Sequence, residues 1–238
     1  MSSAPDELKL KISEIFASVQ GEGRSAGADA VFLRLAMCNL RCDWCDTRYS
    51  WDFANFRYDD EVDELDISAV EAQLTATDSP PGSHLVITGG EPLLQQPALE
   101  ALLARLDSEL FVELETNGTL APSEAIATRV NQFNVSPKLD NSKEPERRRL
   151  ISSSLDALRR TDKAWLKLVV EGEQEHDEIE TLVSRFDWPK ERVLLMPQAA
   201  QRSVLERRAP QVQQLARSLG LGYSPRLHIE RWGGRRGV

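Results

Sequence analysis

The chain has 238 residues, 41% of them hydrophobic and 28% charged, which is the usual balance of a soluble globular protein. Its formal net charge of −9 argues against extensive nucleic-acid binding, which needs concentrated lysine and arginine. No apolar run approaches the roughly 18 residues of a membrane span, and the N-terminus lacks a signal-peptide pattern. These features predict a cytoplasmic protein with one domain over residues 1–238. Two basic clusters, Arg147–Arg149 and Arg235–Arg236, are interpreted as solvated surface.

The hydrophobic pattern predicts strands that alternate with helices. Leu8–Ser18 is expected to form an edge strand or an N-terminal extension, and the acidic segment Asp59–Asp66 a solvated loop. The six further strands predicted are Ala30–Leu35, His84–Thr88, Leu110–Glu115, Gln132–Val135, Ala164–Val170 and Arg192–Met196. Helices are predicted to begin at a capping box, Ser68–Glu71, and to cover Ala98–Leu106, Pro122–Val130, Glu144–Arg160, Glu173–Phe186 and Ser203–Leu219. Six strands in this alternation predict an α/β fold with an open parallel sheet, a partial (β/α)6 barrel with outer helices.

All three cysteines of the chain fall within eight residues, with the spacing Cys38-x3-Cys42-x2-Cys45. An odd, clustered set does not form a disulfide framework and indicates metal or redox chemistry. Three thiolates suit a [4Fe–4S] cluster with one iron open, to which the amino and carboxylate groups of S-adenosylmethionine (SAM) could bind. Zinc remains an alternative, with a fourth ligand from one of the distant histidines, His84, His176 or His228.

Polar motifs follow several predicted strands directly, and ligands of parallel α/β folds gather at the carboxyl ends of the strands. The motifs are CNLRCDWC, TGGEP at Thr88–Pro92, ETNG, SPK at Ser136–Lys138 and MPQ at Met196–Gln198. In TGGEP, the glycines Gly89 and Gly90 would let the backbone approach a ligand, and Glu91 could oppose an ammonium group. The motifs are therefore expected to meet at one site.

The CxxxCxxC spacing with Trp44 before the last cysteine, together with TGGEP, resembles the radical SAM superfamily. The segments SVQGEG, FLRLAMCNLRCDWCDT and HIERWGGRRGV are similar to those of 7-carboxy-7-deazaguanine synthases. That resemblance implies conversion of 6-carboxy-5,6,7,8-tetrahydropterin to 7-carboxy-7-deazaguanine, with ring contraction and loss of ammonia, in 7-deazapurine biosynthesis. It further implies a [4Fe–4S] cluster, SAM and Mg²⁺ as cofactors, an electron donor such as flavodoxin, and a homodimer.

The same resemblance assigns roles to individual residues. Cys38, Cys42 and Cys45 would bind the cluster and Thr47 the Mg²⁺. SAM contacts are expected from Trp44, Cys45, Asp46, Gly90, Glu91, Ser136, Pro137, Lys138, Met196, Pro197 and Gln198, with Glu115 and Asn117 as further candidates. Substrate contacts are expected from Val19, Gln20, Gly21, Glu22, Arg34, Thr88 and His228.

The chemistry of Gln20, Glu22 and Arg34 fits the substrate contacts assigned to them and leaves alternatives open. Gln20 and Glu22 could hydrogen-bond the lactam and amino edge of a pterin. Arg34 ends an otherwise apolar strand and needs a partner, either a substrate carboxylate or a structural ion pair. The rival functions are a glycyl-radical-enzyme activase, which should not need QGEG, Arg34 and Thr47 together, and a non-catalytic metal-binding module, which would not explain TGGEP.

Overall fold

The computed structural model describes residues 8–238, in which nine strands form one sheet. The strands are β1 Lys9–Val19, β2 Asp29–Leu35, β3 Asp63–Asp66, β4 His84–Gly89, β5 Val112–Thr116, β6 Gln132–Val135, β7 Ala164–Val170, β8 Val193–Pro197 and β9 Gly222–Tyr223. Their order across the sheet is β3-β1-β2-β4-β5-β6-β7-β8-β9, and every neighbouring pair from β2 to β9 is parallel. Within the described residues β3 and β9 each have one partner, so the sheet stays open. The predicted open sheet with six parallel strands is confirmed, and the short β9 adds a seventh.

Nine α-helices flank this sheet in the described part of the chain. They are α1 Tyr58–Glu61, α2 Ile67–Ala76, α3 Gln96–Leu103, α4 Glu124–Arg129, α5 Glu146–Arg149, α6 Ser152–Arg159, α7 His176–Arg185, α8 Arg202–Leu219 and α9 Leu227–Trp232. Neighbouring helices pack along the sheet, α3 against α2 and α4, and α8 against β8. None of the helices in residues 8–238 is both long and apolar enough to cross a membrane.

The prediction of a solvated loop at Asp59–Asp66 is wrong. This segment forms α1 and β3, and β3 pairs antiparallel with β1. Lysines of β1 lie opposite the acidic side chains, with Lys9 Nζ 3.8 Å from Asp66 and Lys11 Nζ 3.6 Å from Glu64. Cross-strand pairs of opposite charge support a strand that composition alone disfavours. The capping box at Ser68 is also wrong, because α2 begins at Ile67 after Asp66 and so includes Ser68 in its first turn.

The single helix predicted over Glu144–Arg160 is divided into α5 and α6, with extended backbone at Leu150 and Ile151. Arg149 explains the break. Its side chain is buried, donates to Lys138 O at 2.7 Å and to Glu144 O at 3.1 Å, and pairs with Glu178 at 2.8 Å. These bonds fix the end of α5 against neighbouring segments, so the chain does not continue as one helix.

The two faces of the parallel sheet differ in chemistry because side chains alternate along a strand. The outer face meets the helices in an apolar core that includes Leu33, Ile87, Leu114, Phe133 and Leu166. The inner face is polar and carries Arg34, Thr88, Glu115, Asn134 and Lys167, all of which line one cavity. The strand register places Arg34 beside Thr88 and Glu115 beside Asn134. The polar side chains of separate strands therefore converge on one space.

Candidate active site

The cavity on the inner face has a volume of about 340 Å³ and collects nearly all the predicted site residues. Its lining includes Val19, Gln20, Gly21, Glu22, Arg34, Cys38, Cys42, Trp44, Cys45, Asp46, Thr47, Thr88, Gly90, Glu115, Asn117, Ser136, Lys138, Met196, Gln198 and His228. Three predicted contacts, Glu91, Pro137 and Pro197, are not among the lining residues. The C-terminal residues 234–238 also line the cavity.

The cysteine loop begins at Cys38, directly after the carboxyl end of β2, and packs on the TGGEP motif. Gly89 has a positive φ of +132°, which residues with a side chain rarely adopt. A Cβ at this position would also overlap the carbonyl oxygen of Leu35. A Cβ on Gly90 would overlap the carbonyl oxygen of Met37. Gly90 N donates to Leu35 O at 2.9 Å and Glu91 N donates to Met37 O at 2.8 Å. The two glycines are therefore needed for close packing of β4 on the cysteine loop, in addition to any approach of a ligand.

The sulfur atoms lie in surroundings that fit an iron–sulfur cluster. Trp51 Nε1 donates to Cys45 Sγ at 3.3 Å, and Leu40 N donates to Cys38 Sγ at 3.5 Å. Hydrogen bonds to sulfur are a common feature of cluster sites. Burial raises the pKa of Cys38 to about 12 and also raises the pKa of Cys42, so bare thiolates are disfavoured and bound iron would supply the missing positive charge.

The zinc alternative receives no support from the geometry. Within residues 8–238, no three side chains of His, Cys, Asp or Glu converge closely enough to hold a single metal ion. The three thiols nevertheless lie in one loop and line one cavity. The described residues thus offer no closed tetrahedral site for a single zinc ion.

The side chain of Glu91 is engaged in hydrogen bonds within the protein. Its side chain is fully buried, and its oxygens accept hydrogen bonds from Leu93 N (3.0 Å), Thr116 Oγ1 (2.9 Å) and Asn117 N (2.7 Å). Burial raises the pKa of Glu91, although these three donors oppose the shift. The carboxylate thus joins TGGEP to the end of β5, and its contact with the ammonium group of SAM stays a prediction.

A network of charged side chains on the cavity wall is built around Glu22. Its carboxylate lies 2.6 Å from Lys167 Nζ, 3.0 Å from Arg226 Nε and 3.7 Å from His228 Nε2. Burial alone would raise the pKa of Glu22, but Lys167, Arg226 and His228 outweigh it and lower the pKa well below its usual value. Glu22 is therefore a largely enclosed carboxylate that stays ionised.

Lys167 and Arg226 each join Glu22 to a second carboxylate. Lys167 Nζ lies 3.3 Å from Glu115, and Arg226 Nη2 donates to Asp46 Oδ2 at 2.6 Å. Burial would lower the pKa of Lys167, but Glu115 and Glu22 reverse the effect and raise it. Two buried cations and three carboxylates thus alternate along the cavity wall as Glu115, Lys167, Glu22, Arg226 and Asp46.

Arg34 forms a structural ion pair with Glu14, one of the two alternatives that the sequence allowed, and it also lines the cavity. Its Nε donates to Glu14 Oε2 at 2.7 Å, and the same carboxylate oxygen accepts from Tyr49 Oη at 2.7 Å. Burial would lower the pKa of Arg34, whereas Tyr49 and Glu14 raise it, so the guanidinium remains charged. Glu14 therefore orients Arg34 at the wall of the site.

Sequence reasoning missed Lys167, Arg226 and Glu14 as parts of this site. Lys167 did leave a signal, because it interrupts the apolar strand AWLKLVV at a position where burial on both faces disfavours a charge. Arg226 and Glu14 lie in a loop and a partly polar strand, where a single charged residue is ordinary. Their roles depend on contacts with residues far away in the chain.

Comparison with known proteins agrees with this site. Residues 34–182 match the sequence pattern of the radical SAM superfamily. The chain is 38% identical, over the full length of both proteins, to a 7-carboxy-7-deazaguanine synthase of Pyrobaculum aerophilum. It is 39% identical to that of Hyperthermus butylicus, with 92% of each chain covered. The protein is thus a radical SAM enzyme, a class whose members use a [4Fe–4S] cluster and SAM. Within that class it belongs to the 7-carboxy-7-deazaguanine synthase family.

The fold has a counterpart among solved structures. The crystal structure of QueE from Escherichia coli superposes with a TM-score of 0.63, covering 91% of this chain and 93% of that one, at 23% sequence identity. At this identity the likeness concerns the fold alone, and it agrees with the open parallel sheet and its outer helices.

Proposed function

We propose that this protein converts 6-carboxy-5,6,7,8-tetrahydropterin to 7-carboxy-7-deazaguanine, with contraction of the ring and release of ammonia. The observation that carries this proposal is one cavity whose lining combines two kinds of chemistry. It includes the three cysteines and the network of Glu22, Lys167 and Arg226. Membership of the synthase family favours this reaction over the activase alternative.

The network around Glu22 suits the amino and lactam edge of a pterin. Glu22 is held ionised and can accept hydrogen bonds from N–H groups of the substrate. Gln20 Nε2 donates to Glu115 Oε1 at 3.4 Å, and Gln20 would contact the lactam edge beside Glu22. Thr88 Oγ1 lies 3.3 Å from Glu115 Oε2, so its hydroxyl is already oriented along the same wall. These groups fix the plane of a flat heterocycle before any reaction begins.

The carboxylate of the substrate would lie near Arg34 and His228. Arg34 is held charged by Glu14 and faces the cavity. Thr47, which follows the last cysteine by two residues, would supply a hydroxyl ligand to Mg²⁺, whose remaining sites water and substrate oxygens would fill. Arg34 and Mg²⁺ would neutralise the substrate carboxylate and so hold the ring in one orientation relative to the three cysteines.

The cluster and SAM, when bound, supply the 5′-deoxyadenosyl radical that starts the reaction by removing a hydrogen atom from the substrate. The protein's own residues position that chemistry. Trp51 and Leu40 donate to the cysteine sulfurs, and Lys138 Nζ, which lies 5.6 Å from the ring centre of Trp44, donates to Ser136 Oγ at 3.0 Å. The C-terminal residues at the cavity lining would help to exclude water.

The proposal further includes a flavodoxin as electron donor, a homodimeric assembly and a cytoplasmic location.

The test is anaerobic reconstitution followed by assay with SAM, reductant, Mg²⁺ and 6-carboxytetrahydropterin. We expect 7-carboxy-7-deazaguanine and ammonia in equal amounts, and a rate that depends on Mg²⁺. The role of Thr47 as a Mg²⁺ ligand is tested by Thr47→Val, which keeps the shape of the side chain and removes the hydroxyl. Formation of deoxyadenosine with a glycine-containing peptide, and none of the deazaguanine, would overturn the assignment.

A further inference from the structure

Trp44, the residue before the last cysteine of the motif, is anchored at the edge of its indole ring. Its Nε1–H donates to Asn141 Oδ1 at 3.1 Å. That N–H is the only polar group of a tryptophan side chain, so this one bond satisfies it. Asn141 lies in a single 3₁₀ turn, Asp140–Ser142, that follows the SPK motif. The two residues are 97 positions apart in the chain, and no local sequence pattern links them.

The orientation of the Asn141 amide is itself fixed. Its Nδ2 donates to Val169 O at 3.0 Å and to Glu175 Oε1 at 3.2 Å. Glu175 is buried, and its other oxygen accepts from Gly172 N at 3.0 Å. If the amide were turned over, Oδ1 would face two acceptors and Nδ2 would face the N–H of Trp44. Asn141 therefore acts toward Trp44 only as an acceptor.

A second contact fixes the face of the same indole ring. Lys138 Nζ lies 5.6 Å from the ring centre of Trp44 and is itself bonded to Ser136 Oγ at 3.0 Å. The ring quadrupole attracts a cation in this position. Trp44, Lys138 and Val169 line the cavity, whereas Asn141 is not among the lining residues. Asn141 thus lies behind Trp44 and holds a ring that faces the site.

The backbone of the cysteine loop is held independently of the Asn141 side chain. Asp43 N donates to Ser142 O at 3.0 Å, and Arg41 N donates to Glu144 Oε1. Both bonds would remain if the side chain of Asn141 were shortened or made apolar. The side chain of Asn141 therefore controls the tilt of the indole ring more than the path of the loop.

We propose that Asn141 is a positioning residue for SAM, which it serves by holding the indole plane of Trp44 at the angle that the bound adenosyl group meets. This inference rests on the proposed function through the predicted contact between Trp44 and SAM. Geometry matters for contacts with an aromatic ring, and a ring that is ordered beforehand loses less conformational entropy when a ligand binds. The effect of Asn141 should therefore fall on the affinity for SAM and not on assembly of the cluster.

The first test measures SAM affinity in a double-mutant cycle on the reconstituted enzyme. Equilibrium dialysis is done without reductant, so that SAM is bound but not cleaved. Asn141→Leu removes the acceptor at similar volume, and Trp44→Phe keeps an aromatic ring but removes the N–H. We expect Asn141→Leu to raise the Kd for SAM about 3- to 10-fold when Trp44 is present. In the Trp44→Phe background the same change should raise it less than about 2-fold, because the bond is already lost.

The second test observes the indole N–H itself in the full chain before reconstitution. The chain has five tryptophans, and ¹⁵N-labelled tryptophan gives each indole N–H its own NMR signal. Trp44→Phe identifies the signal of Trp44 by its disappearance. We expect Asn141→Leu to move that signal upfield and to speed its exchange with solvent deuterium, because the hydrogen bond that protects it is gone.

The matched control is Asn131→Leu, which removes another asparagine acceptor at a distance from the cavity. Asn131 Oδ1 accepts from Val112 N at 2.8 Å at the start of β5. This variant should lower the melting temperature but leave the Kd for SAM and the Trp44 signal unchanged. Asn141→Leu should bind as much iron as the wild type.

Four results would overturn the proposal: iron content that falls together with SAM binding, additive effects in the cycle, an unshifted Trp44 signal, or an equal rise in Kd in Asn131→Leu. Failure of the proposed function looks different. The cycle and the NMR shift would then appear as expected, and deoxyadenosine would form, but no deazaguanine would be produced from the pterin.

Discussion

Replacing Lys167 with methionine removes the buried ammonium that bridges Glu22 and Glu115. The side chain of Lys167 is 4% exposed and that of Glu22 is 13% exposed, so solvent screens the lost interaction poorly. Removing one partner of a buried pair typically costs about 3–5 kcal/mol because the other charge stays buried. For a chain of this length, 1 kcal/mol lowers the melting temperature by roughly 2–4 °C. We therefore expect the melting temperature of Lys167→Met to fall by about 6–20 °C near pH 7.5.

The stability lost in Lys167→Met should depend on pH in a direction that follows from the pKa of Glu22. The pKa of Glu22 is lowered in the folded protein, so its ionised form adds stability above its ordinary pKa and this stability is lost as the pH falls. Without Lys167, protonation of Glu22 costs less, so the gap between variant and wild type should stay constant from pH 8 to pH 5 and narrow as the pH falls below about 4.5, the ordinary pKa of glutamate. Differential scanning calorimetry measures the gap. The matched control is Arg105→Gln, which breaks a more exposed pair with Glu71 and should cost about 1 kcal/mol or less. A loss no larger than that of the control, or one that does not vary with pH, would refute the reasoning.

Three further outcomes follow from the site. Cys42→Ala should reduce deoxyadenosine formation to background and lower the iron bound after reconstitution, as measured by iron analysis and visible absorption. Gly90→Ala should destabilise the protein by about 1–3 kcal/mol and weaken cluster binding, because the new methyl group overlaps Met37 O; urea titration and iron content would show both. The pKa of His228 is lowered, first by burial, so the folded state should lose stability as the pH falls below about 6.5. His228→Asn should flatten that slope in melting temperatures recorded between pH 7.5 and pH 5.5, and an unchanged slope would contradict the role of His228.

The sheet was predictable because its signals are local. Strands such as β4 and β7 are short runs of apolar and β-branched residues, and the polar motifs after them identified the carboxyl ends as the site. The cysteine spacing likewise depends on eight consecutive residues. Each of these patterns lies within one element, so no knowledge of tertiary contacts was needed to recognise it.

The errors share a physical cause, which is contact between distant residues. The segment Asp59–Asp66 becomes helix and strand because β1 offers lysines opposite its acidic residues. The helix expected after Glu144 breaks because Arg149 bonds to Lys138 O and Glu178. Lys167 and Arg226 meet Glu22 across 145 and 204 residues of chain. Composition and periodicity carry no record of such pairings.

Glu91 shows how a recognised motif can have a role that its residue type does not reveal. Its carboxylate binds Asn117 N at 2.7 Å, and the Asn117 side chain donates to Asn39 Oδ1 at 2.9 Å within the cysteine loop. Gly90 and the backbone of Glu91 bond to the residues just before Cys38. The ends of β4 and β5 are thereby joined to the cysteine loop through one buried carboxylate. A change at Glu91 should therefore displace Cys38, and we expect the acidic residue of the motif to act by positioning the cysteine loop.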